Sequence, residues 1–220
     1  MVIAHRPRWR AAYRVTDTRD LRTTDFTTIP AAELSSGPWG ERTAHWVSAV
    51  GLPLDFGAPP AGDPAQVIAR AHDAGAADGA YMVDGLLERG HRIFVNAGDD
   101  SHFAFPGDRF GGWVEVWAET LDPDALLAAL KSGSYYSTQG PRFETLELDG
   151  ERLRVATTPA HAIALGGAGE RWLDGSSVLD EGGGLVKEAT FDVSRFRGSY
   201  CRVTVIDADG KRAWSNPIWS

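Results

Sequence analysis

Cysteine, methionine and lysine are scarce in this 220-residue sequence, with one, two and three of each. A single cysteine, Cys201, excludes an intramolecular disulfide framework and predicts a reducing, cytoplasmic setting. It lies in an alternating apolar run, the environment of a buried core thiol rather than of a nucleophile. No apolar run approaches the ~20 residues of a bilayer-spanning helix, which excludes such a helix. Neither an internal repeat nor the apolar core of a secretory signal is visible.

What is present is ordinary globular material. Hydrophobic residues make up 43%, and eight Trp, nine Phe and five Tyr supply cores that a disordered chain lacks. The net charge is 22 − 30 = −8, unevenly spread. Residues 1–22 carry six Arg against Asp17 and Asp20, a balance of +4, so the rest carries −12. That acidic body would repel phosphates, and no aromatic–basic interleaving marks a groove, which argues against a nucleic-acid partner.

Two helices share one grammar. Asp63-Pro64 opens the first, which Gly75 stops; Asp122-Pro123 opens the second, with Leu126, Leu127 and Leu130 on one face and Gly133 beyond. A third is predicted from Ala80 to Arg89, and short apolar runs lie at Trp46 to Leu52, Ile93 to Ala97 and Trp113 to Trp117. Apolar runs alternating with helices predict βα units around a mostly parallel sheet. After Gly140-Pro141 the pattern changes to alternating strands. Phe143 to Leu148 and Leu153 to Thr157 flank an Asp149-Gly150 turn, and Tyr200 to Ile206 precedes Asp209-Gly210. Residues 1–140 thus read as an α/β domain and 141–220 as a small all-β, sandwich-like domain.

The strongest chemical signal is Ile93-Phe94-Val95-Asn96-Ala97-Gly98-Asp99-Asp100-Ser101-His102, an apolar strand ending in two carboxylates and an imidazole. Asp100 and His102 are two apart, so on an extended chain they leave the same face and can offer oxygen and nitrogen to a divalent metal. A turn or helix cap with a surface histidine fits the same residues.

Four stretches carry a resemblance. They are Ile29-Pro30-Ala31-Ala32-Glu33, the His45-containing segment after it, Gly98-Asp99-Asp100-Ser101-His102, and Leu130-Lys131-Ser132-Gly133-Ser134-Tyr135-Tyr136-Ser137-Thr138-Gln139-Gly140-Pro141. With the closing Ala213-Trp214-Ser215-Asn216-Pro217-Ile218-Trp219, the chain resembles the PHP (polymerase and histidinol phosphatase) superfamily of metal-dependent hydrolases. It is most similar to the carbaryl-hydrolase-like branch. The resemblance implies a distorted (β/α)7 barrel followed by a small β domain, with zinc, manganese or iron ions in the barrel. It implies that Glu33 bridges metals and that His45, Asp100 and His102 are further ligands. Metal-activated water would then cleave a small-molecule phosphoester or a carbamate or ester.

The chain also departs from that pattern. The opening His-x-His strand and the Asp after it have no counterpart, and Thr16-Asp17-Thr18 stands where Thr-Asp-His is usual, so Thr18 replaces a ligand of the resembled family. Ala77-Asp78-Gly79 leads straight into the next helix where a strand is expected. An incomplete barrel, truncated at its start and missing an internal segment, is the expectation, with a reduced metal complement and exposed edges that favour homo-oligomers. Met1-Val2-Ile3-Ala4-His5 reads either as a strand supplying His5 as a further ligand or as a start-site artefact over residues 1–14. His72, His91 and His161 read as surface or packing residues, Arg109 and Lys131 as surface charge, and Trp39, Trp113 and Trp117 as core. The competing function is a non-catalytic remnant whose β domain binds a ligand or partner.

Overall fold

A computed structural model of the chain describes residues 18–35, 46–53, 83–98, 109–168, 177–180 and 182–219. In chain order the elements are β1 (Ala31–Ser35), β2 (Trp46–Val50), α1 (Val83–Glu88), β3 (Trp113–Val116), α2 (Pro123–Ser132) and β4 (Tyr135–Thr138). There follow β5 (Phe143–Asp149), β6 (Arg152–Ala160), β7 (Ala162–Gly167), β8 (Ser177–Val178), β9 (Val186–Asp192), β10 (Tyr200–Ile206), β11 (Arg212–Ser215) and β12 (Ile218–Trp219). Contacts divide the chain into one unit of Met1–Met82 with Val116–Ser134 and another of Val83–Glu115 with Tyr135–Ser220.

In the first unit β1 and β2 form an antiparallel pair in which Glu33 lies opposite Ser48. The Gly51 N–H donates to Pro30 O at 2.7 Å and closes the base of this pair. Gly51 has φ +84°, and a side chain there would also run into Leu127 of α2, so only glycine fits. Helix α2 has the limits its sequence dictates. The Asp122 carboxylate accepts the Asp124 and Ala125 N–H groups at 2.9 and 3.3 Å, and Gly133 ends the helix at φ 77°. Ala129 and Leu130 are its buried face.

The second unit is built on two antiparallel sheets. Strands β3-β4-β11-β10-β7-β8 form the larger, with β12 also on β10, and β5-β6-β9 form the smaller. Inward residues of both sheets make one core: Cys201, Val203 and Val205 of β10 and Ile163 and Leu165 of β7 meet Leu153, Val155 and Phe191 from the smaller sheet. Alternation produces this directly, because from Cys201 on β10 buries every second residue and leaves Arg202, Thr204 and Ile206 on the opposite face, with Tyr200 buried as well at its start. The outer face of the smaller sheet is charged, with Arg154 on Glu147 at 3.2 Å.

One edge of β10 is shared. Thr204 to Ile206 pair with β11, whereas Tyr200 and Cys201 pair with β12. Between these ladders the chain makes a break at Ser215-Asn216-Pro217. Proline has no N–H to give a ladder, and just before it the Ser215 Oγ accepts the Val203 N–H at 2.9 Å.

The expected α/β fold, an incomplete (β/α)7 barrel, is corrected by these sheets. Every determined strand register among the described residues is antiparallel. The β3–α2–β4 segment looks like a parallel crossover in sequence, yet it is not one. Its ends are tied by Trp117 N–H to Ser134 O at 3.0 Å and by the Gln139 side-chain amide to Gly111 O at 3.3 Å, which makes β4 run back along β3. An apolar run does not encode its direction, and a helix can lie in an antiparallel connection as well as in a parallel one. The predicted boundary at residues 140/141 lies between β4 and β5, and β4 is part of the larger sheet. The helix predicted from Asp63 lies outside the described residues.

Candidate functional site

The segment Ile93–Gly98, which leads into the Asp99–His102 motif, belongs to no helix and no ladder. It is fastened by side chains. The Val95 N–H donates to Asn216 Oδ1 at 3.0 Å, and the Ser137 hydroxyl donates to Val95 O at 3.0 Å. The Asn216 amide nitrogen in turn donates to Tyr135 O at 2.9 Å. Asn216 is only 8% exposed, so its carboxamide is a buried bridge between two backbones.

Aromatic packing continues the attachment. The Phe94 ring meets Trp219 edge-on at 5.7 Å and Tyr135 at 6.5 Å, and the Arg92 guanidinium lies 5.3 Å above Trp219. At the far end, Ala97 and the Gly98 carbonyl lie so close to Gly112 that a Cβ there would meet them at 3.4 and 3.7 Å.

Beside this segment, β3 carries Glu115, whose carboxylate accepts the Trp113 indole N–H at 2.9 Å. Burial, helped by the Glu115 charge, pushes the Tyr136 phenol above its ordinary pKa. Tyr136 packs edge-on against Phe143 at 5.0 Å and belongs to the core.

Of the predicted ligands, the backbone of Glu33 lies within β1. His5, His45, Asp100 and His102 lie outside the described residues, as does His72. Only Glu33 of the predicted set is thus among the described residues, and no three His, Cys, Asp or Glu among the described residues converge to hold a metal. As a donor set, two carboxylates and two imidazoles suit zinc, manganese or iron. His91, His161, Arg109 and Lys131 are exposed. Trp117, read from sequence as core, is 48% exposed.

Sequence reasoning missed Asn216, Ser137 and Tyr135 as residues that shape the site. All three sit in stretches marked as motifs, but nothing local pairs them with Val95, which is 121 residues from Asn216 and 42 from Ser137. Thr18, which the resemblance set at a ligand position, is buried, and its carbonyl accepts the Thr28 hydroxyl at 2.9 Å. No described helix is long and apolar enough to cross a membrane. Comparison with known protein families, curated proteins and solved structures found no match to this chain.

Proposed function

We propose that the chain is a metal-dependent hydrolase of the PHP class, acting on a small-molecule phosphoester or on a carbamate or ester. The observation that supports the reading is the meeting of three motif stretches at Val95. The segment leading to Asp99–His102, the Gly133–Pro141 stretch through Ser137, and the closing Ala213–Trp219 stretch through Asn216 are fastened to one another. Stretches that share one chemical role have reason to be locked together, because ligands work only when the backbone that carries them is held.

Glu33, His45, Asp100 and His102 are the proposed ligands, with His5 a further candidate and a complement below that of the class. A bound zinc, manganese or iron ion would supply Lewis acidity and lower the pKa of water toward neutrality. The chain's own part is to hold the donors: Glu33 on a paired strand, and Asp100 and His102 at the end of an anchored segment.

The test is turnover of bis(p-nitrophenyl) phosphate and p-nitrophenyl acetate with manganese or zinc, in wild type, Glu33→Ala and His102→Ala. The expected result is metal-dependent turnover that falls by about 100-fold or more in both variants, since loss of a mere supporting partner of a ligand already costs about 10–100-fold. Equal rates in all three would overturn the reading.

A second reading, a non-catalytic unit that binds a ligand or partner through its β-sandwich, is favoured by the continuous core between the two sheets. Equal rates in all three proteins would turn the argument to it.

A further inference from the structure

Glu115 is half-buried on β3, the edge strand of the larger sheet, and belongs to no ion pair among the described residues. Its carboxylate accepts the Trp113 indole N–H at 2.9 Å. That donor is neutral, so the bond uses one lone pair and leaves the negative charge uncompensated. Trp113 and Glu115 are two apart on a strand, and both side chains leave the same face. Burial first, and then the Glu115 charge, raise the Tyr136 phenol, which places that phenol within reach of the carboxylate's field. Arg142 also acts on Tyr136, but it is exposed and forms no ion pair with Glu115. A half-buried carboxylate is costly unless a cation or several donors meet it. A neutral ligand would leave its charge as it is, and no three His, Cys, Asp or Glu among the described residues converge to hold a metal ion. An organic cation meets both needs, because the acid supplies charge and an indole face attracts the cation through its quadrupole.

We propose that Trp113 and Glu115 form a binding site for a small organic ammonium ion, the carboxylate facing the cationic nitrogen and the indole covering its carbon substituents. The net charge of −8 draws cations toward the protein. The indole bond to Glu115 fixes the two side chains relative to each other before a ligand arrives, which lowers the cost of binding. Both residues and Tyr136 belong to the second unit. The site needs no metal and is independent of the hydrolase reading.

The experiment follows the Trp113 indole N–H resonance of the full-length, nitrogen-labelled protein during titration with choline and with dimethylbutanol, its neutral carbon isostere. Trp113→Phe assigns the resonance. The proteins compared are wild type, Glu115→Gln, which keeps an acceptor for the indole, and Glu147→Gln, which removes an exposed carboxylate paired with Arg154 on the smaller sheet. The expected result is a saturable shift with choline in wild type. Dimethylbutanol binds wild type about tenfold more weakly, and choline binds E115Q about tenfold more weakly, between the values for exposed and desolvated cation contacts. E147Q binds choline as wild type does. Should E115Q fail to fold, the comparison of choline with dimethylbutanol in wild type decides. Absence of a saturable choline shift in wild type would overturn the proposal. Equal binding of choline and dimethylbutanol, or unchanged choline affinity in folded E115Q, would overturn it as well.

Discussion

Asn216 Oδ1 accepts the Val95 N–H at 3.0 Å across 121 residues of sequence. The same carboxamide holds Tyr135 O, so it ties two segments of one unit through a single buried group. Asn216→Ala removes both bonds and is expected to cost about 1–3 kcal/mol, the range for leaving buried polar partners unmade. Urea unfolding of N216A and wild type checks this, and an unchanged midpoint would contradict it.

Cys201 is completely buried in the sandwich core, and burial pushes its thiol up to about 11. Folding therefore favours the neutral thiol. The unfolded chain, with an ordinary thiol pKa, binds fewer protons once the pH passes about 9. The contribution is fully present below that pH and is lost as pH rises toward 11. Its size is on the order of 2–3 kcal/mol. Stability measured against pH should fall more steeply between pH 9 and 11 in wild type than in Cys201→Ala. Native protein at pH 8 should resist thiol reagents until unfolded.

The parts of the fold that sequence made legible are those whose cause is local. Asp122, Pro123 and Gly133 delimit α2 because a cap accepts N–H groups two and three residues on, and glycine takes a positive φ at the other end. The hairpin of β5 and β6 turns at Asp149-Gly150, and β10 follows its alternation from Cys201 to Ile206. What sequence did not show is direction and partnership. Trp113–Val116 and Tyr135–Thr138 flank a helix as parallel strands would, and only Trp117 with Ser134 and Gln139 with Gly111 turn them antiparallel. Ile93–Ala97 has the composition of a central strand, yet its backbone is met by the distant side chains of Ser137 and Asn216. Of the proposed ligand set, sequence named residue types and spacing; Glu33 is located only as a backbone position opposite Ser48.

Gly167 tests how tightly the sandwich closes. A Cβ there would overlap the Phe196 ring and the Tyr200 carbonyl oxygen. The backbone partner cannot yield as a flexible side chain would, so Gly167→Ala is expected to cost about 1–3 kcal/mol, the usual range for overpacking. A thermal melt is the measurement. Gly150→Ala, at φ +59° but with open space around it, should cost less, and a larger loss at 150 than at 167 would contradict the packing account.

Metal stoichiometry follows from the number of donors. A zinc-like ion is satisfied by four ligands, or by three with water, so under the proposed reading Glu33, His45, Asp100 and His102 would suffice for one ion and leave little for a second. Protein purified gently with added manganese or zinc is therefore expected to carry about one ion per chain, by elemental analysis. His5→Ala adds a second measurement. An unchanged metal affinity means that these four donors hold the ion alone. A loss of about 10-fold or more would make His5 a ligand supplied from the start of the chain, as its Ile-Ala-His sequence allows. Two or three ions per wild-type chain would overturn the reduced complement, whatever the His5 variant does.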